Sequence, residues 1–314
     1  MVEMIATRDA YGKALIELGE KNPNIVVLDA DLSKSTKTEE FSKRFPERFF
    51  NIGIAEANMM GIAAGLASCG KIPFASSFAI FATGRAWEQI RNTIAFSALP
   101  VKIVGTHGGV SVGADGCSHQ AIEDFAIMRS IPTMTVIAPC DGPEARRAVL
   151  AAAEHPGPVY LRMGRAKVPT ITPPSGEFTI GKGIVLRDGD DVTLVGCDAM
   201  VGECLAAAQS LAGEGIDAAV IDMHTLKPVD AELLERYARK TGAFVTAEQH
   251  VLQGGLGSAV AEALARSAAA PVEMLGLDNV FGQSGEPDIL FEHYRLTAKH
   301  IALAARRAIA RKRS

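Results

Sequence analysis

The chain alternates between short apolar runs and longer amphipathic segments. The apolar runs contain several Val and Ile residues, which is typical of buried strands. The amphipathic segments between them have helical periodicity, as in TGRAWEQIRNTIAFSA (83–98) and GPEARRAVLAAAEH (142–155). The apolar runs are NIVVLDAD (24–31), KIPFASSFAIF (71–81), PVKIVGTHGG (100–109), MTVIAPCD (134–141) and PVYLRMG (158–164). This order predicts an α/β fold in which helices flank a largely parallel sheet.

The alternation is interrupted by AKVPTITPPSGEFTI (166–180), where three prolines and a glycine favour a surface linker. A second α/β unit begins with DDVTLVGCDAM (190–200). We therefore predict a first domain over 1–168, a linker over 169–179 and a second domain over 180–314, a length that suits two domains.

Composition narrows the class of protein. The chain is 48% hydrophobic with a net charge of -4, which gives no support for nucleic-acid binding. No apolar run is long and clean enough to predict a membrane span. The five cysteines are scattered and no signal peptide precedes them, so we expect a reduced, cytoplasmic protein with no metal site of its own.

One carboxylate stands in a stretch that is otherwise nearly all apolar or small, NIGIAEANMMGIAAGLA (51–67). Glu56 begins a helical pattern whose glycines and alanines allow close approach by another chain or element. Taken alone, the acid is explained by the first-turn helix dipole. The alternative is an acid placed in apolar surroundings for chemistry.

A glycine-rich loop, GTHGGVSVGADGCSHQAIEDF (105–125), follows a predicted strand and carries His107, Asp115 and His119. Ligands bind beyond the carboxyl ends of parallel strands, so this loop is a candidate for proton transfer and hydroxyl recognition. The alternative is a loop with incidental polar residues. The histidine spacing does not favour a metal site.

Two further strand ends carry candidates with ordinary alternatives. Asp31 and Ser35 in DADLSKST (29–36) suit helix capping as well as a binding loop. Phe78 and Phe81 have the spacing of core aromatics, but they also suit one wall of a slot for a flat heteroaromatic ring.

Together, NIGIAEANMMGIAAGLA, SFAIF and THGGVSVGADGCSHQAIED resemble the pyrimidine-binding and C-terminal domains of transketolase. The likeness covers nearly the whole chain and keeps the motif order. The most similar form is the C-terminal subunit of a split transketolase, whose N-terminal half is a separate polypeptide. The resemblance implies transfer of a two-carbon ketol unit from a ketose phosphate to an aldose phosphate by a thiamine diphosphate enzyme.

The resemblance also implies roles for the first candidates. In the family, a Glu at the position of Glu56 hydrogen-bonds N1′ of the cofactor's aminopyrimidine and favours its imino tautomer. Phe78 and Phe81 match the aromatic pocket for that ring. The third aromatic of many single-chain members is absent, because Gly84 falls roughly there.

The substrate and cofactor contacts are likewise implied by the resemblance. His107 and Asp115 match positions that contact ketose hydroxyls, His119 matches a second active-site histidine, and Asp31 matches an acid near the cofactor. The residues that match the group holding the substrate phosphate are Arg8, Ser35 and Arg165. For Arg165, the nearby Arg162 stays open as an alternative.

One family motif is missing. Thiamine enzymes hold the diphosphate and Mg²⁺ with Gly-Asp-Gly and a later Asn, and this sequence has no Gly-Asp-Gly. The resemblance thus implies a shared site in an α₂β₂ heterotetramer, or a homodimer of this chain, with the metal ligands on an N-terminal subunit. The rival interpretations are a β subunit of a 2-oxoacid dehydrogenase E1 component, a 1-deoxyxylulose 5-phosphate synthase-like enzyme and a non-catalytic paralogue.

Overall fold

The computed structural model describes residues 3–312 of the 314-residue chain. The predicted ends of the two domains, residues 1, 2, 313 and 314, lie outside the described residues. The strands are β1 (Met4–Ala6), β2 (Ile25–Asp29), β3 (Phe49–Asn51), β4 (Ile72–Phe78), β5 (Lys102–Thr106), β6 (Thr135–Ile137), β7 (Val159–Met163), β8 (Lys167–Pro169), β9 (Ile184–Arg187), β10 (Val192–Gly196), β11 (Ala218–Asp222), β12 (Thr225–Lys227), β13 (Phe244–Val251) and β14 (Val272–Leu277). The helices are α1 (Thr7–Lys21), α2 (Ser33–Thr36), α3 (Glu39–Arg44), α4 (Glu56–Ser68), α5 (Ala79–Gly84), α6 (Trp87–Gln89), α7 (Asp124–Arg129), α8 (Gly142–Glu154), α9 (Met200–Ala212), α10 (Ala231–Thr241), α11 (Leu256–Leu264), α12 (Pro287–His293) and α13 (Ala298–Lys312).

Two main sheets form the centre of the molecule. The first has the order β12-β6-β7-β5-β4-β2-β3 and the second β14-β13-β10-β11-β9. All pairs in them are parallel except β12 with β6 and β9 with β11. The predicted α/β class with largely parallel, helix-flanked sheets is therefore confirmed.

The first sheet is buried on both faces, which is why its strands read as continuous apolar runs. In β2, Ile25 and Val27 pack into one core cluster with residues of α1 and α8. The alternate residues Val26 and Leu28 pack into another, which reaches α4, α10 and α11. A third cluster fills the space between the second sheet and helices α9 and α13. The strand ends, rather than the strand faces, are thus left free for chemistry.

One strand of the second half of the chain belongs to the first sheet. Strand β12, which lies in the range predicted for the second domain, pairs antiparallel with β6 at the edge of the first sheet. Strands β1 and β8 form a separate two-stranded ribbon. The predicted domain boundaries stay a prediction, and the two sheets are joined more closely than a simple linker would join them. Among residues 3–312, no helix is both long enough and apolar enough to span a membrane.

Candidate functional site

Glu56 is the first residue of α4 and is 3% exposed. Both of its carboxylate oxygens accept hydrogen bonds of 3.2 Å from Nη1 of Arg85, and the hydroxyl of Ser77 lies 3.4 Å from Oε1. Ser77 belongs to β4, so the sheet and the helix together fix the acid. The arrangement keeps a buried charge paired, as burial demands.

Phe78 and Phe81 lie beside this acid, where β4 ends and α5 begins. Their rings are stacked, with centroids 5.8 Å apart and planes inclined by 15°. Phe78 is buried and Phe81 half-buried. A Cβ built on Gly84 would meet no atom within 4 Å, so the place of the missing third aromatic is open. The guanidinium of Arg85 instead covers Phe81, 4.1 Å from the ring centroid.

His107 follows directly after β5 and stacks on Phe78 with a centroid distance of 3.8 Å. Its Nε2 lies 3.0 Å from Nη1 of Arg8, and its Nδ1 lies 2.9 Å from the hydroxyl of Thr106. Since the guanidinium can only donate, Nε2 accepts and Nδ1 carries the proton. Burial, then the charges of Arg8 and Arg165, lowers the pKa of His107 to about 3. The imidazole is therefore neutral at physiological pH.

His119 approaches the same aromatic pair from another side. Its ring meets Phe81 edge-on at 5.3 Å between centroids and Phe78 at 6.1 Å. The Nδ1 atom lies 2.9 Å from the hydroxyl of Ser118, and the side chain is half-buried. The loop after β5 thus folds back so that two histidines twelve residues apart in the sequence flank one aromatic slot.

Two arginines line a cleft of about 280 Å³ next to this slot. Arg8, near the start of α1, donates to the backbone carbonyl of Ser35 at 3.0 Å. Arg165 follows β7 and pairs with the exposed Asp115 at 3.3 Å. Burial is the main cause that lowers the pKa of Arg8, with the charge of Arg165 adding to it. Two guanidinium groups facing one cleft suit an anion.

Arg162, the alternative to Arg165, is placed differently. It is 2% exposed and lies 3.3 Å from Asp124 and 3.9 Å from Asp198. It also donates to the backbone carbonyls of Ala121 and Gln249. Arg162 therefore joins the two halves of the chain internally, while Arg165 faces the cleft.

Asp31 is exposed, has a left-handed backbone (φ 62°) and accepts a 3.0 Å hydrogen bond from the Asn51 amide. The buried acid of the same loop is Asp29, which sequence reasoning missed. Its carboxylate accepts from the hydroxyls of Thr36 and Thr38 and from the backbone N–H of Leu32. Burial raises its pKa. Asp29 thereby shapes the turn that presents the Ser35 carbonyl to Arg8, and its position at the end of an apolar strand was the available signal.

Arg85 is the other residue that the sequence did not single out. It follows Gly84 directly and lies within the segment that carries Phe78 and Phe81. Its contact with Glu56 crosses 29 residues of sequence, so no local pattern signals the ion pair.

Comparisons with known proteins agree over nearly the whole chain. Residues 3–170 match the family described as transketolase, pyrimidine binding domain, and residues 181–301 match transketolase, C-terminal domain. A putative transketolase C-terminal section of Methanocaldococcus jannaschii is 50% identical, over 94% of this chain and 93% of that protein. The 6-deoxy-6-sulfo-D-fructose transketolase subunit SqwH of Clostridium sp. is 45% identical, over 97% of this chain and 95% of its own length.

A solved structure described as a split gene transketolase, inactive beta4 tetramer, superposes with a TM-score of 0.92. It is 56% identical in sequence and covers 98% of this chain and 99% of its own. With both family matches and these relatives, the chain belongs to the transketolase family, of which it contains the pyrimidine-binding and C-terminal domains.

Proposed function

We propose that this chain is the β subunit of a two-chain transketolase that transfers a two-carbon ketol unit from a ketose phosphate to an aldose phosphate. The observation that carries the proposal is the buried carboxylate of Glu56 beside the Phe78–Phe81 slot, with the neutral His107 stacked on the same aromatic pair. Thiamine diphosphate, when bound, supplies the nucleophile for such carbon–carbon cleavage.

The residues present fit the pyrimidine half of that cofactor. A flat ring stacks on an aromatic face, and Phe81 offers a face that the half-exposed guanidinium of Arg85 covers. Glu56 lies at hydrogen-bond distance from whatever occupies that space, as the 3.2 Å contacts with Arg85 show. Its role in the proposal is to share a proton with the ring nitrogen, and Asp31 contributes to the cofactor's surroundings from the neighbouring loop.

The substrate contacts follow from charge and protonation. The neutral His107, together with His119 and Asp115, orients sugar hydroxyls, because a neutral imidazole both donates and accepts hydrogen bonds. Arg8 and Arg165 hold the substrate's anionic end in the cleft of about 280 Å³, and Ser35, whose carbonyl accepts from Arg8, contributes from the neighbouring loop. Sequence and geometry together favour Arg165 over the buried Arg162 for this task.

A partner subunit completes the proposed site. The solvent-facing side of α4 carries apolar or small residues such as Ile62, which is 37% exposed, and Ile54 just before the helix is 75% exposed. Gly61 and Gly65 lie on the same side, where an added Cβ would touch nothing within 4 Å. Such a face suits close packing by another chain. We assign the diphosphate and Mg²⁺ to an N-terminal subunit with Gly-Asp-Gly, in an α₂β₂ assembly in the cytoplasm.

The test is co-expression with a candidate N-terminal subunit, followed by assays with and without that subunit. Xylulose 5-phosphate with ribose 5-phosphate should give ketol transfer only in the complex. Because a relative is named for 6-deoxy-6-sulfo-D-fructose, that ketose belongs among the donors tested. Pyruvate with an electron acceptor, or with glyceraldehyde 3-phosphate, tests the rival reactions. A complex that turns over pyruvate but no sugar phosphate would overturn the proposal, and so would full activity of the isolated chain.

A further inference from the structure

The guanidinium of Arg85 contacts both the carboxylate of Glu56 and the ring of Phe81. Its Nη1 lies 3.2 Å from each carboxylate oxygen of Glu56, and its carbon Cζ lies 4.1 Å from the centroid of Phe81. Its own side chain is 50% exposed, whereas that of Glu56 is 3% exposed. Arg85 is therefore a cover at the edge of the site, and Glu56 lies beneath it.

These two surfaces are the ones that the proposed function gives to the aminopyrimidine. A planar ring that stacks on this face of Phe81 and hydrogen-bonds to Glu56 needs the volume in which the guanidinium lies. The guanidinium is itself planar and stacks on aromatic rings, so it imitates such a ring in shape and in its hydrogen-bond donation. Ring and guanidinium cannot occupy that volume together.

The neighbourhood allows the side chain to leave. Space is open at Gly84, where an added Cβ would have no neighbour within 4 Å. Half of the Arg85 side chain already faces solvent, so rotation outward moves its own charge into water, and the cost of the step is the buried carboxylate that stays unpaired until a ligand replaces the guanidinium. The carboxylate beneath cannot follow, because the start of α4 and the hydroxyl of Ser77 fix it.

We propose, resting on the proposed function, that Arg85 is a displaceable counter-ion of Glu56. In the chain without cofactor it satisfies the buried carboxylate and fills the slot, and it must swing out before the aminopyrimidine binds. It is a positioning residue, which acts through Glu56. Its closed position lowers the apparent affinity for the cofactor by the fraction of time that the slot is open.

The first experiment uses the full chain alone. Arg85→Met removes the charge and keeps a flexible apolar stem, and we expect Tm to fall by roughly 2 °C or more at neutral pH. In a Glu56→Gln background the same change should leave Tm almost unaltered, because no charge then needs a partner. Arg91→Met is the matched control at an exposed arginine of the short helical segment Ile90–Ala95. Additive effects of the two substitutions would overturn the counter-ion role.

The second experiment measures binding of thiamine diphosphate to the reconstituted complex by calorimetry. Arg85→Met should bind at least several-fold more tightly than wild type, because the slot no longer has to be cleared. Weaker or equal binding, with wild-type binding intact, would overturn the displacement alone and make Arg85 a direct cofactor contact or a bystander. A wild-type complex that binds no thiamine diphosphate would overturn the proposed function and the displacement with it, while the Tm coupling would stand.

Discussion

Two of the sites that bury carboxylates in this chain solve the same physical problem in opposite ways. At the aromatic slot, Glu56 is paired with a cation whose side chain is 50% exposed. Between the two sheets, Glu144 and Asp222 are both fully buried, with Cys140 beside them. One oxygen of each acid and the Cys140 sulfur all lie within 4.8 Å of one another. We call Glu144 and Asp222 the closed acid pair.

We expect a shared proton, instead of a cation, to hold the closed acid pair. Glu144 lies near the start of α8, where its Oε2 accepts from the backbone N–H of Cys140 at 2.7 Å. No backbone N–H, hydroxyl group or cation of residues 3–312 donates to its Oε1 or to either oxygen of Asp222. Burial is the first cause that raises the pKa of both acids, and for Asp222 the charge of Glu144 is the next. Two carboxyl groups in contact away from water share a proton.

The two sites differ in whether the acid can exchange its partner for a ligand. Glu56 keeps a partner that can leave, at the edge of a cleft, so its buried carboxylate is available to a ligand. The closed acid pair joins β11 to the start of α8, and both of its side chains are 0% exposed. Burial alone therefore does not mark a functional acid, and the exposure of its partner is the better sign.

The largest expected effect is the loss of ketol transfer when Glu56 is replaced. Glu56→Gln keeps the shape of the side chain but removes the shared proton, and ketol transfer by the reconstituted complex should fall by at least about 100-fold. The measurement is kcat with xylulose 5-phosphate and ribose 5-phosphate. Glu88→Gln, at an exposed position near Arg85, is the control and should keep wild-type kcat. Full activity of Glu56→Gln would favour the non-catalytic interpretation.

The closed acid pair predicts a pH effect on stability with activity preserved. A raised folded-state pKa gives stability that is present below the unfolded value, 3.8 for Asp222, and is lost as pH rises through the folded value. Asp222→Asn imitates the protonated acid. Its unfolding free energy should therefore gain on that of wild type as pH rises above about 4, by up to about 1.4 kcal/mol per pH unit.

Urea unfolding of both proteins between pH 5 and pH 8 measures this gain. Asp217→Asn is the matched control, because Asp217 is exposed just before β11 and pairs with Arg187. Parallel pH curves for wild type and Asp222→Asn would show that the acids do not share a proton. A loss of ketol transfer in Asp222→Asn would show that the closed acid pair belongs to the chemistry after all.

The sequence predicted the elements of the slot because each depends on local pattern. Glu56 at a helix start, Phe78 with Phe81, and a histidine loop after a strand were all found from spacing. Contacts between distant segments were not, since no local pattern encodes them. Arg85 meets Glu56 across 29 residues, and Asp222 meets Glu144 across a greater separation. Strand β12 joins the first sheet for the same reason, through tertiary packing that overrides its place in the chain.

A smaller effect is expected at the cleft that Arg8 and Arg165 line. Arg165→Met should raise KM for a sugar phosphate by about tenfold and leave kcat nearly unchanged, because one charge-assisted contact to the anionic end is lost. The control is Arg187→Met, since Arg187 pairs with Asp217 at the far edge of the second sheet. A fall in kcat with KM unchanged would place Arg165 at the reacting centre and not at the anionic end.

The smallest expected effect is that His107 does not titrate near neutral pH. His107 is buried, and it lies at the aromatic slot together with Glu56. Burial and the charge of Arg8 lower its pKa from 6.5 to about 3. A lowered folded-state pKa gives stability that is present above 6.5 and is lost as pH falls towards 3. Between pH 5 and pH 8 the imidazole should therefore stay neutral, with Nδ1 protonated, in histidine-labelled ¹⁵N spectra of the chain. A titration near pH 6.5 would mean that, in solution, the Arg8 side chain moves away from His107. Arg8 would then be as mobile as we propose for Arg85.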